Sequence, residues 1–374
     1  MRSAIMALLV LFGCGTQAAA TAKHKPLVNP PLDISAVPRN ATLMLGDLHG
    51  TRQIPAFVGR LVSTLVEREP LVLALEITPD NTAAVDAFLA SDGSPAMRKQ
   101  LLAGPWWQSP YQDGRRSVAM ADLLETVRAL RTAGRPLAVV LIDAEGKDQE
   151  SREEAMAGNV LAARRARPDA ALVVYAGNLH TSKSEVPSAP GFSWMAMRVA
   201  KAGVAVVSLN ARYDEGTAWI CTGDVEHCGV AFVLGHGPEL GIRLEPSAAG
   251  IYDGWFGVGP ISASPPAGRL DLAVDLESKI AAAAHSAQAV RARAVRAYDD
   301  KRYAECADML DSIATPDAAV AYDHACCLAL AGRRDAALVK LKFAIDAGFK
   351  DLAHAQQDED LASLRDDPRW PIKK

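Results

Sequence analysis

The chain has little of what marks a nucleic-acid or membrane protein. No run of Lys and Arg is interleaved with aromatics, and aromatic residues make up only 6% of the 374. With 40 basic and 44 acidic residues the formal charge is -4, which gives a polyanion no electrostatic footprint. Beyond the N-terminus no apolar stretch is long enough to cross a bilayer. No Cys-x-x-Cys-His offers covalent haem attachment, and no cysteine pair has zinc-knuckle spacing. These absences speak against nucleic-acid binding and an internal transmembrane span. What is left is ordinary globular composition, 49% apolar and 22% charged, with length for about two domains.

The first residues have the order of a secretory signal. Arg2 is followed by the apolar run Ala4 to Phe12 and by small residues from Thr16 to Ala22. A signal peptide over 1–22, cleaved between Ala20 and Lys23, predicts a periplasmic or secreted protein. Leu11-Phe12-Gly13-Cys14 resembles a lipoprotein box, so lipid anchoring through Cys14 is the alternative. Cys221 and Cys228 bracket a short polar loop and suit a disulfide in an oxidising compartment. Cys306, Cys326 and Cys327 stand in helical surroundings and read as small packing groups.

Strand and helix patterns then alternate. Apolar runs at Ala41–Leu45, Leu71–Leu75, Leu137–Ile142, Ala171–Tyr175 and Val204–Leu209 read as buried strands. Helical periodicity covers Ile54–Glu67, Asn81–Leu89, Ala119–Thr132 and Ser151–Arg165. The predicted fold is α/β, a mainly parallel sheet with helices on both faces, over 23–262. Residues 93–116 read as irregular, with Trp106, Trp107 and Tyr111 either lining a lid or burying themselves to pin the loop. A linker over 263–290 starts with Ser264-Pro265-Pro266, and an all-α domain follows over 291–374. There Ala297, Ala304, Met309 and Ile313 match Ala329, Ala336, Leu341 and Ile345 at a fixed offset, the mark of a tetratricopeptide-like helical repeat. Such a tail is either a cap on the main domain or a dock for a protein partner.

Open parallel sheets bind ligands beyond the carboxyl ends of their strands. Here those ends carry acids and imidazoles: Asp47 with His49, Glu76, Asp143 with Glu145, and Asn178 with His180. Groups of this kind, gathered in one crevice, can share protons or hold a metal. On the helix from Ser151, Arg152, Met156 and Asn159 share a face, and a guanidinium there needs an anionic partner such as Glu76 or Asp47.

The segments Gly46-Asp47-Leu48-His49-Gly50-Thr51-Arg52, Leu73-Ala74-Leu75-Glu76, Arg152 with Met156-Ala157 and Asn159, and Gly177-Asn178-Leu179-His180 occur in a telling order. It resembles that of the ChaN/TIKI/erythromycin-esterase-like superfamily, from Thr42 to Leu209. Asp47 stands where that family has Glu. The resemblance implies a polar cleft with a His-Glu constellation, in a family of ester hydrolases, metal-dependent peptidases and haem-binding lipoproteins.

Three readings follow. In a hydrolase of an ester or amide, from a small molecule or a peptide, His49 is the general base, Glu76 orients it, and Arg152 with His180 stabilises the oxyanion. A variant has His49, Glu76, His180 and Asp47 hold a divalent metal. The second reading is a calcineurin-like metallophosphoesterase, whose first motif matches residues 46–50. Against it, no Gly-Asp-x-x-Asp follows, Leu179 separates Asn178 from His180, and His236 lacks the second His of its motif. The third is a haem or metal carrier without turnover, with His49 or His180 as axial ligand and Met156 as a second.

Overall fold

The computed structural model describes residues 32–221 and 227–372; the expected signal segment, Cys14 and the loop 222–226 lie outside them. The elements of the first body are β1 (Thr42–Asp47), α1 (Gln53–Leu65), β2 (Leu71–Leu75), α2 (Thr82–Leu89), α3 (Pro95–Leu102), α4 (Val118–Thr132), β3 (Leu137–Leu141), α5 (Gln149–Ala166), β4 (Ala171–Gly177), α6 (Met195–Lys201) and β5 (Val206–Arg212). After them come β6 (Glu215–Cys221), β7 (Cys228–Leu234), β8 (Leu240–Arg243) and β9 (Gly254–Val258). The helical region holds α7 (Leu276–Ala284), α8 (Ala287–Asp299), α9 (Tyr303–Asp311), α10 (Ala318–Leu330), α11 (Arg334–Asp346) and α12 (Leu352–Gln357).

The sheet runs β3-β2-β4-β1-β5-β9-β8, parallel except for the edge strand β8. Every residue of β1, β2 and β4 is buried, which is why these strands read as unbroken apolar runs. Side chains alternate between two cores. Leu43, Leu45, Leu71, Leu73, Val173 and Tyr175 pack against α1, α2 and α4. Met44, Val72, Ala74, Leu172 and Val174 meet Met156, Ala157 and Val160 of α5 and Met195 of α6. Helix α5 starts from a reciprocal capping box between Asp148 and Ser151. It lands with Arg152 beside the strand ends.

Two expectations need correction. The stretch 93–116 is not wholly irregular: α3 begins at Pro95, behind a Ser94 cap that accepts from the Met97 amide. Of the two roles left open for Trp106 and Trp107 the structure shows burial: the rings pack edge to face at 4.7 Å within the core. Residues 263–290 are no free linker, because Ala263 and Pro266 bridge to Thr51 and Ser117, and the buried Ser264 hydroxyl accepts from the Ala119 amide at 2.9 Å. The run of Pro and Ser was a segment stitched across the sheet domain. Helix α7 then begins within the expected linker.

Cys221 and Cys228 form the anticipated disulfide, closing the antiparallel hairpin β6–β7. Cys306 and Cys327 are also joined, tying α9 to α10, so two of the three tail cysteines are more than packing groups; Cys326 is a buried thiol. The tail helices share a core of their own. They also meet the hairpin: Arg293 forks onto Glu215 at 2.8 to 3.0 Å, and Arg296 reaches Asp214 and the Gly235 carbonyl.

The hairpin presses on the turn after β1. Gly50 sits at φ 74°, its carbonyl accepts from Trp219 and Ser264, and a Cβ there would lie 1.9 Å from the Trp219 oxygen. Gly50→Ala therefore collides with backbone and adds left-handed strain. Urea unfolding is expected to show a loss of roughly 2–4 kcal/mol. A variant as stable as wild type would contradict this packing.

Candidate active site

Four adjacent strand ends bring the acids and imidazoles together. Glu76 follows β2, Asp143 follows β3, His180 lies in the short 3-10 turn after β4, and Asp47 ends β1 with His49 two residues on. Strand β4 lies between β2 and β1, so Gly177 at its end meets His49, His180 and Glu76. A Cβ at Gly177 would stand 2.9 Å from His49 Nε2 and 3.5 Å from Glu76 Oε2. Glycine is required there to let the imidazole and the carboxylate approach.

Glu76 is the hub. Its Oε1 accepts from Arg152 Nη2 at 2.8 Å and Arg115 Nη1 at 3.1 Å, and its Oε2 accepts from the Gly177 amide at 2.7 Å. His49 Nε2 and His180 Nε2 each stand 3.5 Å from one of its oxygens. Burial opposes its charge. The His180 and His49 imidazoles and Arg115 outweigh that and hold the carboxyl well below the usual glutamate range.

Both imidazoles are held at Nδ1 by carboxylates. His49 Nδ1 lies 2.8 Å from Asp47 Oδ2, which also accepts the Tyr175 hydroxyl at 2.7 Å. His180 Nδ1 lies 2.6 Å from Glu153 Oε1, and the other Glu153 oxygen accepts from the Met195 amide. For both, burial disfavours the charged ring. Glu76 and the Asp47 hydrogen bond overcome this at His49 and raise its pKa, while Glu76 and Glu153 push His180 up to about 9. Their exposures differ: the His49 side chain is 22% accessible and that of His180 10%. Only His49 combines a clamped Nδ1 with access from solvent.

Asp47, His49, Glu76, Arg152 and His180 thus meet as the sequence suggested. Arg152 also binds Asp143 through Nε at 2.8 Å, and its Nη1 lies 3.1 Å from His180 Nε2. Asn159 does not join them, because its amide donates to the Ile142 carbonyl at 3.1 Å and so steadies the strand end that carries Asp143. Asn178 is exposed and contributes its carbonyl, which accepts from Thr181 and Tyr252 hydroxyls. Glu145, His227 and His236 are exposed.

Sequence reasoning missed Arg115, Asp113, Glu153 and Tyr175. Arg115 bridges Glu76 and Asp143 (2.7 Å) and binds Asp113. Its loop follows no periodicity; the run Asp113-Gly114-Arg115-Arg116 was the only signal. Glu153 stood next to Arg152 but looked like one more helix-surface acid, although it is 0% exposed. Five carboxylates (Asp47, Glu76, Asp113, Asp143, Glu153) face three guanidiniums (Arg115, Arg116, Arg152), so the cluster is neutral only with both imidazoles charged.

That donor set does not fit a divalent metal on His49, Glu76 and His180. Both Glu76 oxygens already accept from protein N–H groups, and two guanidiniums share its Oε1, so a cation there would meet two positive charges. Met156 does not fit as a haem ligand either: it is fully buried in the core between α5 and the sheet.

No family description matches the chain, and no curated protein matches it. Among solved structures it is similar to a Bacillus cereus protein, with 13% identity, a TM-score of 0.45, and 62% of this chain and 91% of that one covered. A succinoglycan biosynthesis protein is similar at 11% identity and TM-score 0.46, covering 60% of this chain and 89% of its own. An erythromycin esterase in its open conformation follows at 12% identity and TM-score 0.41, covering 55% and 78%. No helix among the described residues is long and apolar enough to cross a membrane.

The raised His180 pKa couples stability to pH. A group raised to about 9 from 6.5 contributes stability that is fully present below 6.5 and lost as pH rises through 9. Wild type should lose on the order of 3 kcal/mol of unfolding free energy between about pH 6 and pH 10 through this residue. His180→Gln should be less stable at the lower pH and show a flatter profile. Parallel urea profiles for the two proteins would sink the assignment.

Proposed function

We propose that this chain is a hydrolase of an ester or amide, with His49 moving the proton. The observation that carries the reading is the solvent-reachable His49 ring, clamped at Nδ1 by a buried carboxylate. Asp47 accepts a hydrogen bond from Nδ1–H and, shared with Tyr175, fixes the ring plane, leaving Nε2 as the working atom. In its neutral form Nε2 draws a proton from water, and Asp47 with Glu76 stabilises the imidazolium that results. Arg152 and His180 supply positive charge for the oxyanion formed as water attacks the carbonyl. The motif resemblance to ester hydrolases and peptidases supports the same reaction class. Because the donor set suits guanidiniums and imidazoles, the reaction is assigned to protein groups alone.

The pH dependence has a definite sign. A base whose pKa is raised is neutral only at higher pH, so kcat/KM rises along an acid limb centred above the ordinary imidazole value of 6.5. Asp47→Asn removes a charge that raises this pKa and moves the limb to lower pH. On chromogenic acetyl esters and anilides, His49→Ala is expected to lower kcat/KM by about 10²–10⁴-fold while the protein stays folded. EDTA should leave turnover unchanged. Undiminished turnover in folded His49→Ala, or loss on chelation, overturns the proposal.

A further inference from the structure

The helical tail holds a cavity of about 390 Å³ whose chemistry the proposed reaction does not use. Its walls come from α8, α9, α10 and α12 and from the segment after α12. One side is apolar, with Ala294, Val295 and Leu310, and Val295 is 47% exposed at the rim. Four carboxylates line it as well, Asp299, Asp323, Asp358 and Asp360, together with Tyr298 and Tyr322.

Asp358 and Asp360 are met by neutral donors, among them the Asp360 amide, which donates to Asp358 Oδ1 at 3.1 Å. Tyr322 donates to Asp358 Oδ2 at 2.6 Å, and the Cys326 thiol lies 3.7 Å from the same oxygen. Tyr298 donates to Asp360 Oδ2 at 2.7 Å. The charged groups nearby are either spent or outside. Arg291 forks onto Asp323 at 2.8 and 3.1 Å, and Arg365 donates to the Asp358 carbonyl. His354, 58% exposed at the rim, is the side chain that can bring positive charge to Asp358, with Nε2 3.4 Å away, and it does so only when protonated. Among the described residues, no Lys or Arg side chain forms an ion pair with either carboxylate. Burial together with Asp358 and Asp360 pushes the Cys326 thiol up, so it supplies no counter-charge.

Two carboxylates drawn close in a concave, half-apolar space repel one another and favour a cation between them. Tyr298 and Tyr322 line the same space, and Tyr322 is held in place by stacking on Phe349 at 4.1 Å. The volume and the apolar wall suit a charged head on a hydrocarbon stem better than a bare ion. We propose that this cavity binds a basic side chain, an ammonium or guanidinium on an aliphatic stem, with its charge on Asp358 and Asp360 and its stem against Val295 and Leu310. A peptide partner with an exposed Lys or Arg is the chemical class it would take.

Calorimetric titration of the full chain with Nα-acetyl-lysine methylamide tests this, with the norleucine analogue as a neutral isostere and Zn²⁺ as a bare cation. The lysine derivative should bind with a Kd of about 1 mM or tighter. The norleucine analogue and Asp360→Asn, which keeps an acceptor for Tyr298, should each weaken binding by roughly tenfold. Equal binding of the two analogues would reduce the cavity to an apolar one and overturn the proposal. So would Zn²⁺ binding without amine binding, or no heat from the lysine derivative at about 10 mM. The isostere comparison on wild type stands even if Asp360→Asn does not fold.

Discussion

The Glu76 carboxylate, buried at the end of β2 and gripped by two guanidiniums and the Gly177 amide, is the interaction on which the site depends. A lone carboxylate at that depth would shift its pKa and neutralise rather than stay charged. Here its charge is retained because Arg115, Arg152 and both imidazoles converge on it. Removing one partner of such a buried pair typically costs about 3–5 kcal/mol, since the others are left uncompensated. The same carboxylate links a strand end, a loop and a helix, so site geometry and local stability are one property.

The fold supplies this convergence by topology. Placing β4 between β2 and β1 sets Gly177 against His49 and Glu76, and parallel direction puts every strand end on one edge. Helix α5 contributes two residues with separate duties, Arg152 toward Glu76 and Glu153 toward His180. The disulfide-closed hairpin, buttressed by Arg293 of the tail, presses Trp219 on the turn that carries His49. Trp219 also donates its ring N–H to the Gln112 carbonyl, next to the loop that delivers Arg115.

The two histidines show how environment separates equal residue types. Each has a carboxylate at Nδ1 and Glu76 near Nε2, yet His180 is enclosed by Arg152, Glu153 and Trp194 while His49 keeps access to solvent. The proposed reaction needs both a held ring and an arriving water, and for that reason it is placed on His49. In the proposed reaction the enclosed His180 is the partner that supplies charge rather than the one that meets water. This division was invisible in the motifs, where both residues simply followed a strand.

The linear sequence determined the strands, because parallel strands buried on both faces must be continuous apolar runs, and it marked their polar ends, where such runs stop. Asp47, His49, Glu76, Arg152 and His180 were legible for that reason. Tertiary structure alone decided that Asn159 serves a strand end, that Pro265 and Pro266 belong to a segment stitched over the sheet, and that Cys306 meets Cys327. It alone brought Asp113 and Arg115 to the site from a loop without periodicity, and turned the surface-like Glu153 inward. The physical reason is range. Periodicity reports which face of an element is buried, whereas a charge's partner is set by where distant elements end. The segment from Gly46 to Gly50 announced a polar site at a strand end; what lies around Glu76 determined that the site is lined by guanidiniums and imidazoles.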